Sequence, residues 1–381
     1  MRFLHTADWQ LGMTRHFLAG DAQPRYSAAR RDAVAGLGAL AAQTGAEFVV
    51  VAGDVFDDNQ LAPEVVSQSL EAMRTIGIPV YLLPGNHDPL NAASVYTSAL
   101  FTAERPDNVV VLGTAGAHQV RPGVEIVAAP WPSKRPTCDL AAAAVQGLLA
   151  DGTTRILLAH GGVDVLDPDP TNPALIRLAA LEDALDRGVI HYVALGDKHS
   201  RTQVGAGGRI WYSGSPEVTN YDDIEPDPGY VLAVDIDETS GAVSVESHRV
   251  GRWRFVTLHR QLDTGRDVAD LDINLDQLPD KERTVVQLAL TGTLSVTDRA
   301  ALDACLDRYS RLFAWAGTWN RHTDLAVVPA DGEFIDLGLG GFAADAVEEL
   351  IAAARAGDTD GADDAHAALA LLLRLVDRGA A

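Results

Sequence analysis

EFVVVAGD, residues 47–54, is a run of apolar and β-branched residues that stops abruptly at a glycine and an acid. Other stretches of the 381-residue chain share this design: FLHTAD (3–8), PVYLLPGN (79–86), RILLAHGG (155–162) and HYVALGD (191–197). Strands that are apolar throughout are typical of a sheet covered on both faces. Helical patterns separate them, at about 25–43, 64–75, 138–150 and 173–187. The sequence therefore predicts an α/β fold.

The pattern changes after about residue 203. TQVGAGGRIWYSGSPE and GYVLAVDIDETSGAVSVESHRV alternate around Gly-rich turns, and we expect both hairpins to add antiparallel strands to a second sheet. Strands resume at WRFVTLHRQL around one helix at 295–313, and amphipathic helices follow at about 342–355 and 364–377. These changes predict a main domain over 1–252, a small α+β domain over 253–334 and a C-terminal helical region over 335–381.

The composition of the chain limits which partners it can bind and in which cellular compartment we expect it. The chain carries 53 acidic and 30 basic residues, so DNA binding would need local arginines, metal ions or a basic partner. Cys138 and Cys305 lie far apart and offer no disulfide framework or zinc motif, as is typical of a reducing compartment. We predict no signal peptide, and AALALLLRLV (367–376) is too short to span a membrane. We therefore expect a cytoplasmic protein that does not insert into membranes.

Polar side chains follow the apolar strands at the points where the strands end. Because functional groups of layered α/β folds gather beyond the carboxyl ends of strands, we expect these side chains to converge. They are Asp8, Gln10, Asp54, Asn86, His87, Asp88, His160, Asp197 and His199. Carboxylates, carboxamides and imidazoles without thiolates suit Mn²⁺, Mg²⁺, Fe²⁺ or Zn²⁺. The sequence predicts a site for two divalent ions, with Asp54 as the bridging carboxylate.

The motifs also carry a family resemblance. ADWQ (7–10), GDVFD (53–57), GNHD (85–88), AHGG (159–162) and GDKH (196–199) resemble the five ordered motifs of the calcineurin-like metallophosphoesterases. MRFLHTADWQLG, PVYLLPGNHDP and YSGSPE narrow the resemblance to the SbcD-type nuclease subunits of bacterial SbcCD complexes. The resemblance is good over residues 1–250 and weak over the next 80. It implies a two-sheet α/β sandwich for the nuclease domain, a small α+β capping domain and C-terminal helices.

The resemblance divides the predicted ligands between two ions. One ion takes Asp8, Gln10, Asp54 and His199, and the other takes Asp54, Asn86, His160 and Asp197. His87 is implied to stabilise or protonate the leaving 3′ oxygen, with Asp88 holding its imidazole in position.

Two ligand positions depart from the family, which has histidine where this chain has Gln10 and Asp197. Each ion thereby exchanges a nitrogen ligand for an oxygen ligand. Oxygen donors make the site harder, which favours Mn²⁺ or Mg²⁺ over Zn²⁺. We expect two Mn²⁺ ions, with Mg²⁺ or Fe²⁺ as alternatives.

The activity that the resemblance implies is a manganese-dependent DNA nuclease of double-strand-break repair or end processing. It would combine 3′–5′ exonuclease and single-strand endonuclease action, form a homodimer and bind an SMC-like coiled-coil ATPase of the SbcC type through residues 335–381. Two alternatives stay open. The same motifs serve phosphodiesterases of cyclic nucleotides or other small molecules, and the exchanges at Gln10 and Asp197 allow a non-catalytic DNA-end scaffold with a vestigial metal site.

Overall fold

The chain forms two compact units, Met1–Arg254 and Phe255–Ala381. The computed structural model of the protein describes residues 1–167, 169, 171–328, 342–355, 365 and 368. Within these ranges, no helix combines the length and the apolar character that crossing a bilayer requires. The domain boundaries that we expect at residues 253 and 335 stay predictions.

Two six-stranded sheets form the framework of the first unit. Its strands are, in chain order, β1 (Arg2–Thr6), β2 (Val49–Val51), β3 (Val80–Leu82), β4 (Val109–Val111), β5 (Gly116–Arg121), β6 (Val124–Ala129), β7 (Thr154–His160), β8 (Tyr192–Gly196), β9 (Thr202–Val204), β10 (Ile210–Tyr212), β11 (Tyr230–Ile236) and β12 (Val243–Arg249). The first sheet has the order β12-β11-β1-β2-β3-β4, with β1 to β4 parallel. The second has the order β5-β6-β7-β8-β10-β9, with its four inner strands parallel.

The two predicted hairpins join different sheets. β9 and β10 pair antiparallel in the second sheet, as expected. β11 and β12 instead extend the first sheet, because β11 runs antiparallel to β1 with Arg2 opposite Asp235 and His5 opposite Leu232. The prediction that both hairpins add to a second sheet is therefore wrong for β11 and β12. Alternating polarity defines a hairpin but not the sheet edge that it joins.

Helices of the first unit correspond to the four predicted stretches, with one short addition at Ala99–Glu104 that was not predicted. They are α1 (Ala22–Thr44), α2 (Pro63–Arg74), α3 (Ala99–Glu104), α4 (Leu140–Val145) and α5 (Leu178–Asp186). α1 ends at Gly45, whose φ of 72° closes the last turn, and α2 begins with Pro63 in its first turn. α4 is shorter than the predicted 138–150, because Gln146 is already extended and Gly147 has a φ of 81°.

The two sheets pack face to face and helices cover their outer faces. Phe3 and Val50 of the first sheet and Leu158 of the second belong to one buried cluster between the sheets. Side chains that alternate with these point outward, so that Leu4 packs with Leu37 of α1 in a separate cluster. A third cluster joins the second sheet to α4 and α5. The predicted two-sheet α/β sandwich is confirmed.

His5 of β1 links the two sheets of the first unit. Its Nδ1 lies 3.0 Å from the Tyr192 hydroxyl and its Nε2 lies 3.2 Å from the Leu195 carbonyl oxygen, both on β8. Burial lowers the pKa of His5 to about 3, and the hydrogen bond to Leu195 opposes this only in part. The imidazole is therefore neutral at physiological pH.

The second unit is a smaller α+β assembly. Its elements are β13 (Arg254–Leu262), α6 (Gly265–Gln277), β14 (Thr284–Ser295), α7 (Val296–Ser310), β15 (Trp315–Thr318), β16 (Asp324–Val328) and α8 (Phe342–Arg355). β14 lies at the centre and runs parallel to β15 and β16. Leu271 of α6 and Leu302 of α7 pack with Leu288 of β14 in one buried cluster.

Two described helices of this unit were predicted, and one was not. α7 and α8 match the predicted 295–313 and 342–355. α6 was not predicted, although Thr264 and Asp267 form a capping box at its start. The helix predicted at 364–377 lies outside the described residues.

Candidate metal centre

Strand ends from both sheets bring three predicted ligands together. Asp8 follows β1, Asp54 follows β2 and His160 ends β7. One ligand atom from each of the three lies within 4.8 Å of the other two, and all three residues are buried. Among the histidine, cysteine, aspartate and glutamate side chains of the described ranges, this is the group assembled closely enough for one cation.

Backbone strain is concentrated at the same place. Asp8, Gln10, Asp54 and Asp197 have φ angles of 53°, 42°, 52° and 105°. In the described part of the chain, Asp280 is the other non-glycine residue with a positive φ. Such conformations cost about 1–3 kcal/mol each and persist only where the surroundings impose them. Four residues predicted to be ligands therefore share this strained backbone conformation.

Two glycines allow the loops to approach one another. A Cβ atom on Gly53 would lie 2.2 Å from Nδ1 of His160, and one on Gly85 would lie 2.3 Å from Oδ1 of Asp54. Gly53 also has a φ of 90°. Any side chain at either position would push a predicted ligand out of place.

His160 has a fixed ring orientation. Its Nδ1 lies 2.8 Å from the Ala52 carbonyl oxygen, and its Nε2 lies 2.6 Å from Asn86 Oδ1 and 3.5 Å from Asp54 Oδ1. Burial works to lower the pKa of His160, but the negative charges of Asp54, Asp8 and Asp197 outweigh burial and raise the pKa to about 9. The Nε2 position thus attracts positive charge, whether proton or cation.

Asp8 connects the ends of β1 and β8. Its two carboxylate oxygens accept hydrogen bonds from the backbone N–H of Asp197, at 3.0 and 3.2 Å. Burial raises the pKa of Asp8 to about 7, against the opposing effect of His199 and His160. The backbone of Asp197 therefore lies beside the Asp8 carboxylate. The negative charge of Asp197 contributes to the raised pKa values of Asp8 and His160.

Two further predicted ligands, Gln10 and His199, contact each other. Nε2 of Gln10 lies 3.1 Å from Nε2 of His199. Oε1 of Gln10 is buried and has no hydrogen-bond partner among the described residues. A buried amide oxygen without a partner costs about 1–3 kcal/mol, and a hard cation would satisfy it.

The structure corrects the expected role of Asp88. His87 Nδ1 donates to the Asp57 carbonyl oxygen at 2.8 Å, and no described contact joins Asp88 to the imidazole. Asp88 instead accepts hydrogen bonds from Gly85 N at 2.7 Å, Phe56 N at 3.0 Å and the Tyr96 hydroxyl at 2.5 Å. Its carboxylate points into the protein because these donors all lie there. Asp88 therefore holds the loop, and Asp57 orients the imidazole.

The comparisons with known proteins agree with this geometry. Residues 1–233 match the family model described as calcineurin-like phosphoesterase. The chain belongs to the calcineurin-like phosphoesterase family. The D subunit of the nuclease SbcCD from Rhodobacter capsulatus is 28% identical over an alignment that covers 81% of this chain and 84% of that protein. The predicted resemblance to SbcD-type subunits is confirmed.

More limited similarities were found to two other proteins. A DNA double-strand break repair protein Mre11 from Archaeoglobus fulgidus is 32% identical over 91 residues, which cover 23% of this chain and 19% of that protein. A crystal structure of TT1561 from Thermus thermophilus superposes with a TM-score of 0.41 and 13% identity, covering 65% of this chain and 98% of that one.

Membership of the calcineurin-like phosphoesterases supports a metal-dependent hydrolase, and the donor set agrees with divalent ions. Ligand atoms of Asp8, Asp54 and His160 lie within 4.8 Å of one another, and the buried amide oxygen of Gln10 has no hydrogen-bond partner among the described residues. The groups at the site are carboxylates, amides and imidazoles, which suit hard and borderline cations. The residues therefore fit the ions that the family implies.

Sequence reasoning missed two residues that support the calcineurin-like site. Glu225 contacts His199 Nδ1 at 2.5 Å. Arg30 of α1 is buried, and its guanidinium donates to the Trp9 carbonyl oxygen at 3.1 Å, between Asp8 and Gln10. Neither has a sequence signal, because Glu225 lies in an acidic loop and Arg30 in an ordinary helical pattern.

Proposed function

We propose that this chain is a manganese-dependent DNA nuclease that acts in double-strand-break repair or end processing. The observation that carries the proposal is the convergence of Asp8, Asp54 and His160 within 4.8 Å. The substrate class comes from the named relatives, a nuclease subunit similar over 81% of this chain and a double-strand break repair protein. We also propose both 3′–5′ exonuclease and single-strand endonuclease action.

The proposed ligands hold two ions that share Asp54. One ion would be held by Asp8, Gln10, Asp54 and His199, and the other by Asp54, Asn86, His160 and Asp197. When bound, the pair supplies an activated water and neutralises charge on the phosphoryl oxygens. The protein fixes the ligands beforehand through strained backbone at four of them, including Gln10 and Asp197. These two oxygen ligands favour Mn²⁺ over Zn²⁺.

His87 is the proposed general acid. Its backbone N–H donates to Asp54 Oδ1 at 2.9 Å, which places it at the site, and its side chain is 40% exposed. Because Nδ1 donates to the Asp57 carbonyl oxygen, Nε2 is the atom that can pass a proton to substrate. As the bond between phosphorus and the 3′ oxygen breaks, the proton on Nε2 moves to that oxygen.

The acidic surface bears on the proposed partners. With 53 acidic and 30 basic residues, the chain attracts DNA poorly by itself. The named relative is a subunit of the nuclease SbcCD. We propose that an SMC-like coiled-coil ATPase binds residues 335–381 and supplies a basic DNA-binding surface, and that the nuclease forms a homodimer in the cytoplasm.

A nuclease assay with a second substrate tests the proposal. End-labelled duplex DNA and a chromogenic phosphodiester are each incubated with Mn²⁺ and either wild type, Asp54→Asn or His87→Ala. Asp58→Asn is a control in the same loop, because the Asp58 side chain is 44% exposed and pairs with Lys134, and Asp58 is not one of the predicted ligands. We expect DNA cleavage by wild type and Asp58→Asn and a loss of at least about 100-fold in the other two.

The other outcomes separate the alternatives. Hydrolysis of the chromogenic diester without DNA cleavage would favour a small-molecule phosphodiesterase. DNA cleavage that is equal in wild type, Asp54→Asn and His87→Ala would contradict the site itself. DNA binding without cleavage in any variant would favour a non-catalytic scaffold.

A further inference from the structure

His199 is held by a buried acid through the ring nitrogen that faces away from the other ligands. Its Nδ1 lies 2.5 Å from Glu225 Oε1 and 2.6 Å from the Thr219 hydroxyl oxygen. Its Nε2 lies 3.1 Å from Gln10 Nε2. One ring nitrogen therefore faces a fixed acceptor, and the other faces Gln10, a proposed ligand of the same ion.

Glu225 is itself immobilised. Its Oε2 accepts hydrogen bonds from the backbone N–H groups of Thr219 and Asn220, both at 2.9 Å. The Thr219 hydroxyl donates to its other oxygen, and the residue is only 5% exposed. Every described partner of Glu225 can donate to it, so the carboxylate acts purely as an acceptor.

We propose that Glu225 is a positioning residue that keeps the proton of His199 on Nδ1 and leaves the Nε2 lone pair free for a divalent cation. The inference rests on the proposed metal centre. A carboxylate behind an imidazole fixes its tautomer and raises its strength as a ligand. The role carries particular weight in this chain, because with Gln10 in place of histidine, His199 is the one nitrogen ligand proposed for that ion.

The substitution Glu225→Gln should change which ring nitrogen of His199 carries the proton. The amide oxygen is needed by the backbone N–H groups of Thr219 and Asn220, so the amide NH₂ has to face His199 Nδ1. Nδ1 then becomes the acceptor and the proton moves to Nε2, where it competes with the cation. We expect Mn²⁺ affinity to fall by about 10–100-fold, the usual cost of losing such a partner.

The experiment combines two measurements on the full chain. Nitrogen-15 NMR of the metal-free protein, at a pH where the His199 imidazole is singly protonated, reads which ring nitrogen carries the proton, and calorimetric titration with MnCl₂ gives the dissociation constant. Glu217→Gln is the matched control. Glu217 is 1% exposed and accepts from Arg252 N at 2.8 Å and Trp253 N at 3.0 Å, without touching His199. Melting temperatures of both variants show that they fold.

We expect the Nδ1–H tautomer in wild type and Glu217→Gln, and the Nε2–H tautomer with weaker Mn²⁺ binding in Glu225→Gln. An Nε2–H tautomer in wild type, unchanged affinity in Glu225→Gln, or an equal loss in both variants would overturn the inference. Wild type that binds no Mn²⁺ overturns the metal centre as well. Wild type that binds Mn²⁺ with the expected tautomer but leaves DNA intact supports the inference and removes only the nuclease proposal.

Discussion

Nε2 of His160 and Oδ1 of Asn86 face each other at 2.6 Å, although 74 positions separate them in the chain. Both residues are proposed ligands of one ion. The two atoms that face each other are the atoms that would bind this ion. Burial works to lower the pKa of His160, but the nearby carboxylates raise it to about 9. A proton therefore occupies the place that the cation is expected to take.

The first prediction concerns competition between Mn²⁺ and protons. His160 keeps its proton below about pH 9 and Asp8 below about pH 7, and both have to lose it to bind metal. Affinity for Mn²⁺ should rise with pH, by at least about tenfold per unit between these values and more steeply below pH 7. Calorimetry in buffers of different ionisation enthalpy counts the protons released. Affinity that does not change with pH would contradict the account.

The second prediction concerns the choice of metal. Replacing Gln10 and Asp197 by histidine restores the nitrogen donors that the resemblance implies and should shift preference toward Zn²⁺. Competition titrations with Mn²⁺ and Zn²⁺ on wild type, each single variant and the double variant measure the ratio of affinities. We expect the ratio to move toward Zn²⁺ by at least about tenfold in the double variant. His118 of β5 is half-buried and lies 2.7 Å from the Thr114 carbonyl oxygen; its replacement by Gln is the control and should leave the ratio unchanged.

The third prediction concerns the structural role of Asp88. Asp88→Asn should lower the free energy of unfolding by about 1–3 kcal/mol, and Tyr96→Phe by about 1 kcal/mol, because both remove hydrogen bonds that tie the loop. Urea denaturation measures both changes. A loss of cleavage in Asp88→Asn with unchanged stability would restore the role first expected for Asp88.

The fourth prediction concerns acid stability. His5 is neutral in the folded protein down to about pH 3, whereas an unfolded histidine takes up a proton below about pH 6.5. Its contribution to stability is therefore complete above pH 6.5 and is lost as pH falls, by up to about 1.4 kcal/mol per pH unit. Denaturation curves for wild type and His5→Leu should differ in their slope against pH. Equal slopes, or titration of His5 near 6.5 by NMR, would contradict the burial argument.

The sequence allowed the fold of the first unit to be predicted where strands were apolar along their whole length. β2 and β7 were visible for this reason, and so were the polar residues that follow them. β5 was not predicted, because its residues alternate between half-buried and exposed positions at the edge of a sheet. The position of β11 depends on pairing with β1 across more than 200 residues, which no local pattern encodes.

The residues of the candidate site likewise divide into those that the sequence predicts and those that it does not. Asp8, Asp54 and His160 were predicted because each ends a strand, and their convergence is a property of parallel sheets. The partner of His87 was not predicted, because a backbone carbonyl such as that of Asp57 leaves no mark on residue type. Glu225 reaches His199 from a loop 26 positions later, a contact that depends on tertiary structure.

Anomalous scattering from crystals grown with MnCl₂ tests the central claim most directly. The account predicts two manganese peaks about 3.5–4 Å apart, bridged by Asp54 and contacted by Asp8, Gln10 and His199 on one side and Asn86, His160 and Asp197 on the other. An absence of peaks at this site, or peaks that Asp54 and His160 do not touch, would contradict it.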